Sequence, residues 1–206
     1  MDQENEDNAA VRVQIVSALV DIDRADWDRC ANPQGGSGQL SYNPFISWDF
    51  LEALEASGAV SAETGWLPRH LMLEGPDGRP TGFVPCYLKS HSQGEYVFDY
   101  GWADAYERAG GNYYPKLQVS VPFTPVPGRR ILVGAGEGAG ERRQALAVAL
   151  AELASRHKAS SVHVTFLSEE EWDALGDLGY LKRTDQQFHW QDQGFGTFDG
   201  FLELSL

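Results

Sequence analysis

The sequence predicts an α/β fold: one mixed β-sheet with helices on both of its faces. Three observations lead there. Short segments of period-two alternation occupy the first half of the chain, and longer segments of helical period occupy the second. The late apolar strands alternate with helices, the arrangement that makes right-handed crossovers between parallel strands. The stretch 112–130, NYYPKLQVSVPFTPVPGRR, opens as a good strand and then takes Pro122, Pro125 and Pro127. Proline gives no N–H to a ladder, so this strand must lose its pairing partway along.

The elements follow in order. Val11, Val13 and Ile15 alternate in VRVQIVSA, a first strand. DIDRADWDRC is a short helix with Asp21 or Asp23 as its cap. Residues 31–44 are a loop rich in Gly, Asn and Pro, after which Ser47 caps a helix over WDFLEALEASG that stops at Gly58. Two strands flank the turn signal PDG within 69–91. GEYVFDYGW reads as a further strand. GAGEGAG leads into a long amphipathic helix with Leu146, Leu150 and Leu153 on one face. SVHVTFL (161–167) reads as a buried, interior strand, and Ser168 caps SEEEWDALGDLGY with Glu171 at the capping-box position. LKRTDQQFHWQ is expected as a last strand, and a helix opens at Thr197.

Composition excludes several functions. The formal net charge of −14 disfavours DNA and anionic membranes, which need clustered Lys and Arg. Much of residues 2–7, DQENED, is acidic, and 1–10 is expected to be a disordered leader. No apolar run nears the roughly 18 residues of a bilayer span, and no secretion-signal pattern opens the chain, so a cytoplasmic location is expected. Cys30 and Cys86 alone give no disulfide framework, and no histidine pair has metal-ligand spacing, so no metal is expected.

The segments NPFISWDFLEALE, TGWLPRHL, HSQGEYVFDYGWADAYERAG, NYYPKLQVSVPFTPVPGRRIL, VHVTF and FHW with TFDGFL carry a resemblance. Together they cover most of residues 43–204, and they resemble the FemAB-like predicted N-acyltransferases associated with peptidoglycan biosynthesis. The order of elements is similar to that of the GCN5-related N-acyltransferase (GNAT) superfamily. The resemblance implies a GNAT-like mixed sheet in which two central strands splay and the donor's pantetheine arm lies in the gap. It implies an N-acyltransferase domain over 11–194, with 195–206 opening a helix toward a second domain, and self-association through that helix. It also implies acyl or aminoacyl transfer to the amine of a small molecule or peptide. The donor would be acyl-CoA or aminoacyl-tRNA, with no tightly bound cofactor. The alternative is a GNAT-like recognition or dimerisation module without catalysis.

Such transfer needs a base for the amine, stabilisation of an oxyanion and no nucleophilic residue. Glu95 and Asp99 lie among aromatics, where a carboxylate with raised pKa acts as a base; Asp99 is preferred, with Asp104 weaker. Tyr114 is a candidate proton donor to the leaving group. His163 is either a core residue or a cleft base. Trp102, Tyr106, Tyr113 and Lys116 suit an elongated acceptor. For the donor the candidates are Pro122, Phe123 and Thr124 at the strand parting, with Arg129, Arg130, Gly136 and Gly138 before the long helix, whose N-terminus attracts phosphate. Glu137 inside that loop opposes a pyrophosphate, and a plain flexible connector is the other reading of 134–140.

Overall fold

The computed structural model describes residues 12–33 and 41–204. The leader and part of the 31–44 loop lie outside them. Eight strands and six helices follow in chain order: β1 (Arg12–Val16), α1 (Arg24–Ala31), α2 (Trp48–Ala56), β2 (Trp66–Pro68), β3 (His70–Glu74), β4 (Pro80–Val84), β5 (Cys86–Lys89), α3 (Tyr100–Arg108), β6 (Lys116–Val119), β7 (Leu132–Val133), α4 (Ala139–Arg156), β8 (Val162–Val164), α5 (Glu169–Asp177) and α6 (Phe198–Leu204).

Local chemistry places several ends. Asp23 accepts the Asp26 N–H at 3.0 Å and starts α1, and Ser47 accepts the Phe50 N–H and starts α2. Ser168 caps α5 in the same way. Glu171 does not complete that capping box. Its carboxylate instead receives the backbone N–H groups of Arg130 and Ile131, at 2.6 and 3.0 Å.

Two four-stranded sheets result, in the orders β1-β3-β4-β7 and β2-β5-β6-β8. They share two stretches of chain, because β2 and β3 are separated by Arg69 alone and β4 and β5 by Pro85 alone. Pro85 has no N–H, so the ladder must break there. All neighbours are antiparallel except β6 and β8, whose parallel register pairs Gln118 with His163. Leu71, Leu73, Val84, Cys86, Leu117 and Val119 pack with α4 through Leu146, Leu150 and Leu153. Phe83, Leu132 and Val121 pack on the other side with Trp27 and Leu51 of α1 and α2. Helices therefore cover both faces, as expected.

Three expectations need correction. Residues 94–99 form no strand, and α3 begins at Tyr100. Gly94 and Tyr96 both have positive φ (79° and 55°), which is incompatible with extended pairing. Residues 181–191 are exposed coil instead of a last strand. β8 consequently has no outer neighbour among the described residues, and is a half-buried edge rather than an interior strand. α6 does form; Phe201 stacks with Trp190, Phe195 and Phe198, while Phe198 and Leu202 are exposed.

β6 and β8 do part where the prolines begin. The last ladder bond runs from the Thr165 N–H to the Val119 carbonyl. The chain then makes an excursion through Pro122, Pro125 and Pro127 and returns at Gly128, whose N–H donates to the Phe166 carbonyl. The prolines thus occupy the stretch that has left the ladder.

Candidate active site

Register brings two lysines together. Lys89 of β5 stands opposite Lys116 of β6, and both are fully buried. Like charges directly opposite destabilise a sheet, and buried ones need partners. Residues 90–99 supply them. They fold back over this face and carry Glu95 and Asp99 inward, both buried, while Tyr96 and Phe98 point to solvent.

All three protons of the Lys116 ammonium are used. They go to Asp99 Oδ2 at 2.6 Å, Ser92 Oγ at 2.7 Å and Glu95 Oε2 at 2.8 Å. The Ser92 hydroxyl donates to Asp99 Oδ2 at 2.9 Å, so at its 2.8 Å contact with Tyr114 the phenol is the donor. Tyr113 donates to Asp99 Oδ2 as well, at 2.8 Å. Lys89 is held less well. Its Nζ donates to the Gln93 carbonyl at 3.3 Å, lies 3.5 Å from the Trp66 ring centroid, and is 4.0 Å from Glu95 Oε1.

The two carboxyls consequently differ. Burial raises the pKa of Asp99, but the bonds from Lys116, Tyr113 and Ser92 outweigh it and hold the group below the usual range. Burial also raises Glu95, and there the attraction of Lys116 and Lys89 does not compensate, so its pKa lies above the usual range. Burial lowers Lys89 to about 7, opposed by Glu95. The Tyr113 phenol is pushed up by burial and by Asp99.

His163 sits across the ladder from Gln118, with its ring centroid 6.0 Å from that of Tyr113. Burial, then Lys116, depress its pKa from 6.5 to about 4. Between those values the unfolded chain binds the proton and the folded chain does not. Stability therefore falls as pH falls from 6.5 to 4. The expected result is a shallower acid limb for His163→Gln over this window, read from urea midpoints at pH 7, 5.5 and 4.

Of the expected acceptor residues, Tyr113 and Lys116 join the cluster, with Tyr114 at its edge. Trp102 and Tyr106 stand exposed on α3, and the Arg183 guanidinium lies 5.8 Å from the Trp102 ring. The expected donor residues do not converge. Phe123, at φ 57°, is held by the Gly94 carbonyl and leans on Trp66, with Pro122 and Thr124 beside it. A Cβ on Gly94 would meet the Phe123 ring at 2.6 Å, which is why glycine stands there. Arg129 turns inward to the carbonyls of Cys30 and Ala31. Arg130 is buried and donates to the carbonyls of Thr165 and Val126. Gly136 and Gly138 lie in the turn that starts α4. Arg130 thus occupies the carbonyls of Thr165 and Val126 where β6 and β8 part, and Glu171 occupies the N–H groups of Arg130 and Ile131.

Sequence reasoning missed Lys89, Ser92, Trp66, Gln118 and Glu171. Lys89 and Lys116 carried a signal: each is the lone charge in a short apolar strand, CYLK and KLQV.

The chain matches the FemAB-like family model, described as peptidoglycan biosynthesis/recognition, over residues 18–205. It belongs to that family. Among solved structures it is similar to a ribosomal-protein-alanine N-acetyltransferase from Brucella melitensis biovar Abortus 2308. Identity is 16%, coverage is 89% of this chain and 99% of that one, and the TM-score is 0.50. A Trypanosoma brucei acetyltransferase is similar at 13% identity over 89% and 99% of the two chains, with TM-score 0.42. A comparison with curated proteins finds no significant match. The likeness to the first of these shows the fold, and the fold alone, to be that of a GNAT-type acetyltransferase. Among the described residues no helix is long and apolar enough to cross a membrane.

Proposed function

We propose that the chain is an N-acyltransferase acting on a primary amine of a small molecule or peptide. The family description makes a peptidoglycan precursor the acceptor class to try first. The supporting observation is the pair of unlike buried carboxyls. Asp99 is fixed as an anion by three donors on Oδ2, while burial holds the pKa of Glu95 above the usual range. This is how a protein separates a positioning carboxylate from a base.

In the reaction the amine nitrogen attacks the acyl carbonyl. The C–N bond forms as the C–S or C–O bond of the donor breaks. Glu95 takes the amine proton, and the leaving sulfur or oxygen receives one from Tyr114, which Ser92 links to the cluster. Lys116 keeps both carboxyls in place without touching the reacting atoms.

The test is incubation of the chain with primary amines, among them cell-wall peptides, and with acetyl-CoA or aminoacyl-tRNA in turn. Mass spectrometry should find the amine heavier by one acyl group. Absence of product with every donor would leave the second reading, a recognition module. One observation favours that reading: the Arg130 side chain bridges the parting of β6 and β8, from the Thr165 carbonyl to the Val126 carbonyl.

A further inference from the structure

Five buried side-chain polar atoms lack a hydrogen-bond partner among the described residues, and four of them belong to the Lys116 cluster or to the chain of β6 and the residue that follows it: Glu95 Oε1, Asp99 Oδ1, Gln118 Oε1 and Ser120 Oγ. The fifth, Arg142 Nε, belongs to α4. All four are able to accept, and three can only accept. A buried acceptor left unpaired is costly, and native proteins rarely tolerate one without a reason. Two of them two residues apart along β6 and its continuation, Gln118 and Ser120, mark a place that receives hydrogen-bond donors from elsewhere.

Gln118 and Ser120 are absent from the mechanism above. Gln118 is fully buried on β6, on the same face as Lys116 and roughly 6–7 Å further along the strand. Its Nε2 donates to Thr165 Oγ1 at 2.8 Å, which fixes the amide plane and leaves Oε1 unused. Ser120, buried to 1% exposure, follows at the point where β6 leaves β8. We propose that Gln118 Oε1 and Ser120 Oγ form the subsite that receives the N–H groups of the primary amine, a role that rests on the acyl-transfer reading. Gln118 Oε1 can only accept, so it repels a carbonyl and welcomes an amine, and the subsite selects the acceptor over the acyl group. It also lies on the face of the strand that carries Lys116.

Two cations distinguish this subsite from general attraction to an acidic protein. Propylammonium carries N–H donors; propyltrimethylammonium carries the same charge without them. Calorimetry on the full chain should show saturable binding of the first and none of the second. Ser120→Ala and Gln118→Met should each weaken it at least tenfold. Ser120→Ala should also unfold at the same urea concentration as wild type or a higher one, because it removes an unpartnered hydroxyl; a structural hydroxyl would give the opposite sign. Equal binding of the two cations, no binding of either, or undiminished binding in Ser120→Ala overturns the proposal. Amine binding that persists in a chain without transfer activity would sink the acyl-transfer reading and leave the subsite standing. Transfer with unchanged KM for the amine in both variants would do the reverse.

Discussion

Lys116→Met is expected to lower the stability of the fold by about 3–5 kcal/mol, the cost of breaking a buried ion pair by removing one partner. Methionine keeps the length of the side chain and its apolar stem, so packing on β6 changes little. What changes is charge. Asp99 and Glu95 stay buried, Asp99 Oδ2 loses its shortest bond, and Glu95 Oε2 loses its bonded partner. The urea midpoint should drop with the slope unchanged, as for a change in stability alone. The loss should be largest near neutral pH and shrink in acid. Without Lys116 burial acts on Glu95 and Asp99 with one partner fewer for each charged form, so the deficit develops as pH rises and shrinks as both are protonated. Adding Glu95→Gln and Asp99→Asn to Lys116→Met should recover much of the loss, since an uncharged trio needs no counterion. A single variant as stable as wild type would mean that water reaches the cluster and the site is wrongly drawn.

The same cluster shows where sequence reading reaches and where it stops. The caps at Asp23, Ser47 and Ser168 act within three residues, so the sequence displays them directly. The long helix was legible from the spacing of Leu146, Leu150 and Leu153, which α4 buries together. The proline run correctly announced that β6 would leave its partner, because the missing N–H is a property of the residue itself. Long-range events were hidden. Residues 94–99 have the composition of a strand, yet the pull of Lys89 and Lys116 on Glu95 and Asp99 wins over local preference. That pull exists only once β5 and β6 are in register, and nothing in CYLK or KLQV alone states the register. Glu171 looked like half of a capping box. Two backbone N–H groups some forty residues earlier attract it more strongly than its own helix end.

The arrangement also revises which acid should do chemistry. Asp99 stood first from its aromatic surroundings, but those aromatics are mostly solvent-facing, and its own neighbours are donors. A carboxylate given three hydrogen bonds on one oxygen is a weak base, because every donor favours the charged form. It is better suited to holding Lys116, Tyr113 and Ser92 in register. Glu95 receives a single hydrogen bond, from Lys116, has Lys89 4.0 Å from its other oxygen, and has a pKa raised by burial.

Glu95→Gln should therefore lower the acyl-transfer rate by about 10²–10⁴-fold, the range for removing a general base, while the chain stays folded. Glutamine is nearly isosteric, and its carbonyl oxygen still accepts from Lys116, so the loop keeps its anchor. It cannot take a proton. In wild type the rate should rise with pH through the raised pKa of Glu95, because only the carboxylate form accepts the amine proton, and that rise should be missing in the variant. Asp99→Asn should behave differently. It removes the charge that balances Lys116 in a site closed to water, so its activity loss should come with a lower urea midpoint. Measuring kcat, KM and unfolding on both variants separates a base from a structural anion. Glu95→Gln with wild-type kcat and an unchanged pH profile would remove Glu95 from the chemistry. If Asp99→Asn then lost rate without losing stability, the two carboxyls would have to exchange roles. Glu95 would in that case serve only to receive an N–H of the acceptor.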